Sequence, residues 1–230
     1  VNDARTVTVD GPAGSGKSTL GRALAAALGL PIIDTGLFYR GITVAAVRAG
    51  VDASDLAALG ELARATSIQI ETDPWAGDSV VVDGVPAGPE LHDPRHAALL
   101  AAVAGEPSVR AAVLELQRAP AVDGAVAVGR DCGTVVFPTA AVKFYLDAPE
   151  NVREQRRMAQ LHARGARTDG GAMRAEVRER DLSDSRRAAS PLRRPVDAHV
   201  IDTATVGRQA MIELALSICS AAGVRPVQPR

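Results

Sequence analysis

Lysine is scarce in this chain. Of its 26 basic residues only Lys17 and Lys143 are lysines and the rest are arginine, so each lysine needs a reason. Cysteine is scarce too. Cys132 and Cys219 stand far apart with no CxxC or Cys/His ligand spacing, which argues against a structural zinc and fits two free, buried thiols in a reducing compartment. Neither sign of charge is in excess: 26 basic against 27 acidic residues leave a formal net charge of −1. No global field therefore draws the chain to nucleic acid or to an anionic membrane, and any anion site has to be local. No basic-then-apolar leader opens the sequence and its apolar runs fall short of a membrane span, so a soluble cytoplasmic protein is expected. His92, His96, His162 and His199 are scattered without ligand spacing and read as structural or surface residues. What is present is 47% hydrophobic content over 230 residues with both helix and turn formers, enough for one core with small inserts.

The segment TVTVD (6–10) is β-branched and alternating, and it runs into a glycine loop and an Ala/Leu-rich helix stopped at Gly29. PIID (31–34) predicts a short buried strand, followed by a helix to Gly50 and a second helical run with Ser54 as its N-cap. This βαβα rhythm belongs to a parallel sheet with crossover helices. It breaks over residues 66–94, where two alternating runs flank a Pro/Gly/Asp turn holding Trp75 and predict an antiparallel insert. Two helical runs follow, then core strands at Ala125–Val128 and AVKFYLDA (141–148). A helix from Pro149 is interrupted at Arg167–Gly171, a hinge or tip, before helical character resumes to Arg187; a last strand, HVIDT, and a last helix precede a frayed tail.

GPAGSGKS (11–18) matches G-x-x-x-x-G-K-[ST] in the context that motif requires, after a strand and at the opening of a helix. Glycines allow consecutive N–H groups to turn inward on an anion, and the helix N-terminus adds its dipole. Lys17 is then placed for the β- and γ-phosphates and Ser18 for Mg²⁺. No NKxD-type run reads a guanine base. The candidate strand that in a motor ATPase would end in acids poising a water here ends in Gly129-Arg130-Asp131. An arginine beside the γ-phosphate points to a charged acceptor rather than water. DTGLFYRG (34–41) brings an acid, a hydroxyl, a tyrosine and an arginine to the end of the second strand, where ligands of parallel sheets bind. Taken alone, Tyr39 and Arg40 read equally well as an amphipathic surface pair; for Arg130-Asp131 the lesser alternative is an internal salt bridge capping the strand.

Together, GRDCGTVVFP, DTGLFYR, VRAAVLELQR, RERDLSDSRRAASPL and DAHVIDT resemble blocks of the bacterial cytidylate (CMP/dCMP) kinases, P-loop nucleoside monophosphate kinases, in the family's order over nearly the whole chain. The β-rich insert is similar to the enlarged monophosphate-binding domain that separates these enzymes from adenylate kinases. The resemblance implies an α/β, P-loop three-layer fold with a five-stranded parallel sheet. It places the core at 1–65 and 103–230, the antiparallel insert at 66–102 and a short lid at 157–172.

The same resemblance implies Mg²⁺-dependent transfer of the ATP γ-phosphoryl group to CMP or dCMP by a monomer, with no membrane or nucleic-acid partner. It implies catalytic roles for Lys17, Arg130 and Arg187. ATP falls to Gly11, Gly14, Ser15, Gly16, Lys17, Ser18, Thr19 and Arg157, the last chosen among Arg153, Arg156 and Arg157. CMP falls to Thr35, Tyr39, Arg40, Arg110, Gly129, Arg130, Asp131, Arg180, Asp184 and Arg187, with Arg110 and Asp131 reading the cytosine. Ser18 would ligate Mg²⁺, with Asp34 or Asp131 holding it through water. A monophosphate acceptor brings its own nucleophile, so no general base is needed; alignment and charge screening remain. One departure stands out: Ala101 occupies the place of a serine that helps recognise the cytosine amine. It leaves room for UMP or another small acceptor such as shikimate, and a non-catalytic nucleotide- or RNA-binding module is the reading from a different class.

Overall fold

The computed structural model describes residues 2–73, 77–163, 182, 187 and 190–226. Five short strands build the central sheet: β1 (Val7–Asp10), β2 (Ile32–Asp34), β6 (Val126–Gly129), β7 (Val142–Asp147) and β8 (His199–Asp202). Their order is β2-β6-β1-β7-β8, with every pair parallel. The chain leaves β1 toward β2 and later returns to its other side with β7, so the order reverses at β1. That reversal opens a crevice at the carboxyl end of the sheet. Strands β1 and β6 are buried at every residue, as a sheet covered on both faces requires; β6 accordingly reads as an apolar run, whereas β1 buries Thr8 and Asp10 as well.

One face is covered by α1 (Lys17–Leu28) and α7 (Arg208–Ala221), whose Leu20, Leu24, Leu28, Met211 and Ala215 pack on Val7, Val9, Val126 and Phe144. The other face carries α2 (Thr35–Ala49), α3 (Leu56–Ala65), α4 (Ala97–Gly105) and α5 (Pro107–Arg118), joined through Phe38, Ile42, Leu59, Val109 and Val113 to Ala127 and Phe137. The last described helix before β8 is α6 (Glu150–Ala163).

The insert is a second, three-stranded antiparallel sheet, β3 (Ile68–Asp73), β4 (Gly77–Val82) and the two-residue β5 (Val85–Pro86). Two strands are foreseeable from the alternation; the third is too short to show any. Val80, Val82, Ala87 and Leu91 seat this sheet on Leu37, Val44 and Ala45 of α2. Arg48 of α2 fastens its far side, donating to the carbonyl of Pro86 at 2.9 Å and pairing with Glu90. Where α1 passes the hairpin, Arg22 Nη2 meets both oxygens of Asp78 at 2.8 Å.

One local expectation changes, and two features add to the reading. The cap of α3 is Asp55, which accepts from the Ala58 N–H at 3.0 Å, while the hydroxyl of Ser54 turns to Asp52 at 2.6 Å. The segment after Asp131 forms a π turn, Cys132–Val136, that the β-branched GTVV does not announce. Lys143 is structural: its ammonium, at the start of β7, meets Asp197 at 2.8 Å and the Pro138 carbonyl at 2.6 Å. Both cysteines are free and buried. Trp75, Arg180, Asp184 and the interrupted segment of the expected lid lie outside the described residues. Among the described residues no single helix is long and apolar enough to cross a membrane.

Candidate active site

The carboxyl ends of all five central strands meet in one region. From β1 comes the glycine loop. Gly11 has φ near +147°, and a Cβ there would lie 2.1 Å from the Leu146 carbonyl oxygen at the end of β7, so only glycine lets the loop turn inside that strand. Gly14 and Gly16 also have positive φ, and Gly16 caps α1. Lys17 is largely buried, with Nζ folded onto the Pro12 carbonyl at 2.7 Å. Ser15 is fully buried, and its hydroxyl makes no hydrogen bond to the described residues, a polar atom that suits an anionic ligand. Ser18 is exposed and Thr19 half-exposed on the first turn of α1.

Two arginines of α6 brace the loop. Arg153 is buried and donates to Ala148 O at 3.0 Å and to Ala13 O, inside the loop, at 3.2 Å. Arg156 donates to the hydroxyl of Thr203 at 2.8 Å and to its carbonyl at 2.7 Å, and that hydroxyl in turn donates to Ser15 O at 3.0 Å. The ends of β7 and β8 are thereby tied to the loop backbone. Arg157 is half-buried on the next position of α6.

From β2 and α2 come Asp34, Thr35, Tyr39 and Arg40. Asp34 caps α2 by accepting from the Gly36 N–H at 3.0 Å. Burial raises its carboxyl above the ordinary value and Asp78 adds to this, while Lys17 and Arg40 oppose it, which sets those two cations beside it. Arg40 donates through Nη1 to Leu91 O in the insert at 3.0 Å. Thr35 Oγ1 donates to Val128 O at 3.1 Å. A Cβ at Gly129 would lie 2.2 Å from that hydroxyl, so the β6 end and α2 touch only because glycine stands there.

Arg130 and Asp131 leave β6 in different directions. Arg130 Nη1 reaches back to Gly11 O at 3.0 Å, at the mouth of the glycine loop. Asp131 is buried in an ion pair with Arg110 of α5, whose other Nη donates to Ala104 O at 2.9 Å. The Arg110 guanidinium lies 5.1 Å over the Tyr39 ring, and burial pushes the Tyr39 phenol up to about 12. Arg187 closes the group: burial first, then the nearby charges of Arg110 and Arg130, push its guanidinium down to about 10, against the pull of Asp131. Arg110 and Arg130 thus lie close enough to act on the charge of Arg187 beside the Asp131 carboxylate, a gathering of guanidinium groups that suits an anionic ligand. A cavity of about 160 Å³ opens beside them, lined by Tyr39, Arg110, Leu114, Asp131, Val135 and Ser190.

Sequence reasoning missed several members of this region. Gln117, 1% exposed, donates to Thr35 O at 3.2 Å and also meets the Tyr39 hydroxyl. Asp10 accepts from Cys132 N at 2.9 Å and Gly133 N at 2.7 Å. The only signal for either is its place, Asp10 at the carboxyl end of β1 and Gln117 in the VRAAVLELQR block.

A model of the family described as cytidylate kinase matches residues 7–221, nearly every segment just described. The chain belongs to the cytidylate kinase family. A curated cytidylate kinase of Pelotomaculum thermopropionicum is 40% identical over 222 residues, covering 96% of this chain and 98% of that one. One from Mycobacterium avium is 42% identical over 209 residues, 90% and 91% of the two chains. As a cytidylate kinase relative over its whole length the chain is a nucleotide-binding phosphotransferase, with ATP as the phosphoryl donor the family implies.

Proposed function

We propose that the protein transfers the γ-phosphoryl group of ATP to CMP or dCMP, giving ADP and CDP or dCDP. The observation that carries this reading is the gathering of Arg110, Arg130 and Arg187 beside Asp131, with Arg130 bonded to the mouth of the glycine loop. Guanidinium forks suit a phosphate dianion, and a second phosphate there would lie beside one held in the loop. The glycine loop with Lys17, Ser15, Ser18 and Thr19 would take the triphosphate. Arg130, Arg187 and Arg40 would take the acceptor phosphate, Arg180 and Asp184 its sugar, and Arg110, Asp131 and Tyr39 the base.

In this reading Asp131 accepts from the cytosine amine while Arg110 donates to the ring acceptors. The cavity between them, apolar at Leu114 and Val135, suits one flat ring. Residues 66–102 would act as the acceptor-side domain and 157–172 as the lid. Arg157, half-buried on α6 beside the two arginines that brace the loop, would be the donor-side arginine. Ser18 fits Mg²⁺ by position and chemistry. Of the two carboxylates Asp34 fits better, since Asp131 is already neutralised by Arg110. Bound Mg²⁺ would screen charge on the triphosphate; Lys17 and the arginines screen it from the protein side.

An ADP-release assay offering CMP, dCMP, UMP, AMP and shikimate separately tests the proposal. CMP and dCMP should turn over fastest, with UMP as the measure of what Ala101 relaxes. Turnover of UMP alone would reassign the acceptor, and turnover of none would favour the nucleotide- or RNA-binding module.

A further inference from the structure

The donor and acceptor halves of this site are carried by neighbouring strands, β1 and β6, yet the groups that must meet lie on the loops beyond them. Strand pairing ends at Asp10 opposite Gly129. Beyond that point, side-chain bonds hold the two segments together. The Asp10 carboxylate, 0% exposed, accepts from Cys132 N through one oxygen at 2.9 Å and from Gly133 N through the other at 2.7 Å. One residue on, Gly11 O accepts from Arg130 Nη1 at 3.0 Å. Cys132 and Gly133 open the π turn that follows Arg130 and Asp131, and N–H groups at the start of a helical turn have no partner within it. Space is tight on that side as well. A Cβ on Gly133 would meet Thr8 Oγ1 at 2.8 Å and Pro195 at 3.0 Å, so the turn has little room to settle elsewhere.

We infer that Asp10 is a positioning residue for phosphoryl transfer: by gripping the two amides after Asp131 it sets the Arg130 guanidinium at the mouth of the glycine loop. It touches neither nucleotide and acts through the backbone of the turn. An Asn in its place fits the same space but offers one acceptor oxygen and turns its NH₂ toward the second amide, so the turn swings away on one side. Asp10→Ser is the smaller alternative, also with an oxygen that bonds one amide.

This inference rests on the proposed reaction. The test reads kcat and both KM values in Asp10→Asn and Asp10→Ser, beside the dissociation constant of a fluorescent ATP analogue. In each variant kcat is expected to fall about tenfold or more and the KM for CMP to rise several-fold, with the analogue held within about twofold of wild type. Unchanged kcat and CMP KM in a well-folded variant would overturn the positioning role, and so would a pair of variants that both lose analogue binding and far-UV circular dichroism, since Asp10 would then serve the fold alone. A wild type that uses no cytidine monophosphate would overturn the reaction itself, a separate result from either.

Discussion

The proposed function gives Lys17 and Arg130, two cations at one junction, different tasks, and single substitutions should separate them. Removing the Lys17 ammonium takes away the charge nearest the transferring group, so Lys17→Ala is expected to lower kcat by at least about a hundredfold. Arg130→Ala should raise the KM for CMP strongly while leaving ATP-analogue affinity near wild type; a normal acceptor KM would contradict its assignment. Asp10 carries a pH signature of its own. Burial lifts its carboxyl from 3.8 to about 6, with Asp131 adding to the lift and the amides of Cys132 and Gly133 opposing it. A raised acid binds its proton more tightly folded than unfolded, so its contribution to stability is full below 3.8 and is lost as pH rises through 6. A lift of that size corresponds to about 3 kcal/mol. Urea unfolding at pH 4 and pH 7.5 should therefore show Asp10→Asn gaining on wild type by up to that amount at the higher pH.

At the scale of elements, legibility followed the range of the forces involved. The glycine loop, its strand and its helix were readable because backbone sterics and period dictate them within a dozen residues. Burial on both faces made β1 and β6 readable in the same way. The π turn was not readable, because the carboxylate that satisfies its first two amides comes from Asp10, far away in sequence, and GTVV by itself favours a strand. The pairing of Asp131 was also hidden. Its neighbour Arg130 looks like the natural partner, whereas the fold delivers Arg110 from α5. Ser54 lost the cap of α3 to the adjacent Asp55 for a local reason, since Asp52 captures the serine hydroxyl. The brace at Thr203 gives this scale its prediction. Replacing Arg156 by Met keeps the stem and removes the guanidinium's contacts with the loop's support, so ATP-analogue affinity should weaken several-fold while the KM for CMP changes little. Isothermal titration with the analogue checks the first half and steady-state kinetics the second.

For the whole molecule, the crowd of guanidinium groups makes ligand binding and stability one quantity. A ligand that binds only the folded state raises stability by an amount set by its concentration relative to its dissociation constant. Inorganic phosphate should thus raise the thermal midpoint of wild type, by more than an equal ionic strength of chloride, and the increment should shrink in Arg130→Ala. The Arg22–Asp78 pair joins core to insert across α1, and with both side chains partly exposed it adds little to stability. Its influence should fall on acceptor kinetics: Asp78→Asn is expected to alter the KM for CMP within a few-fold and to remove part of its dependence on salt.

The hairpin sheet leans on α2 through Val80, Val82 and Leu91, and α2 begins with Thr35, Tyr39 and Arg40. In the proposed reading, a small rotation of that sheet would be delivered along one rod to the acceptor's side of the cleft, while the glycine loop would stay moored to β7 and β8 through Arg153 and Arg156. On that reading, sequence drift in the hairpin would retune which monophosphate is admitted without disturbing how the triphosphate is held.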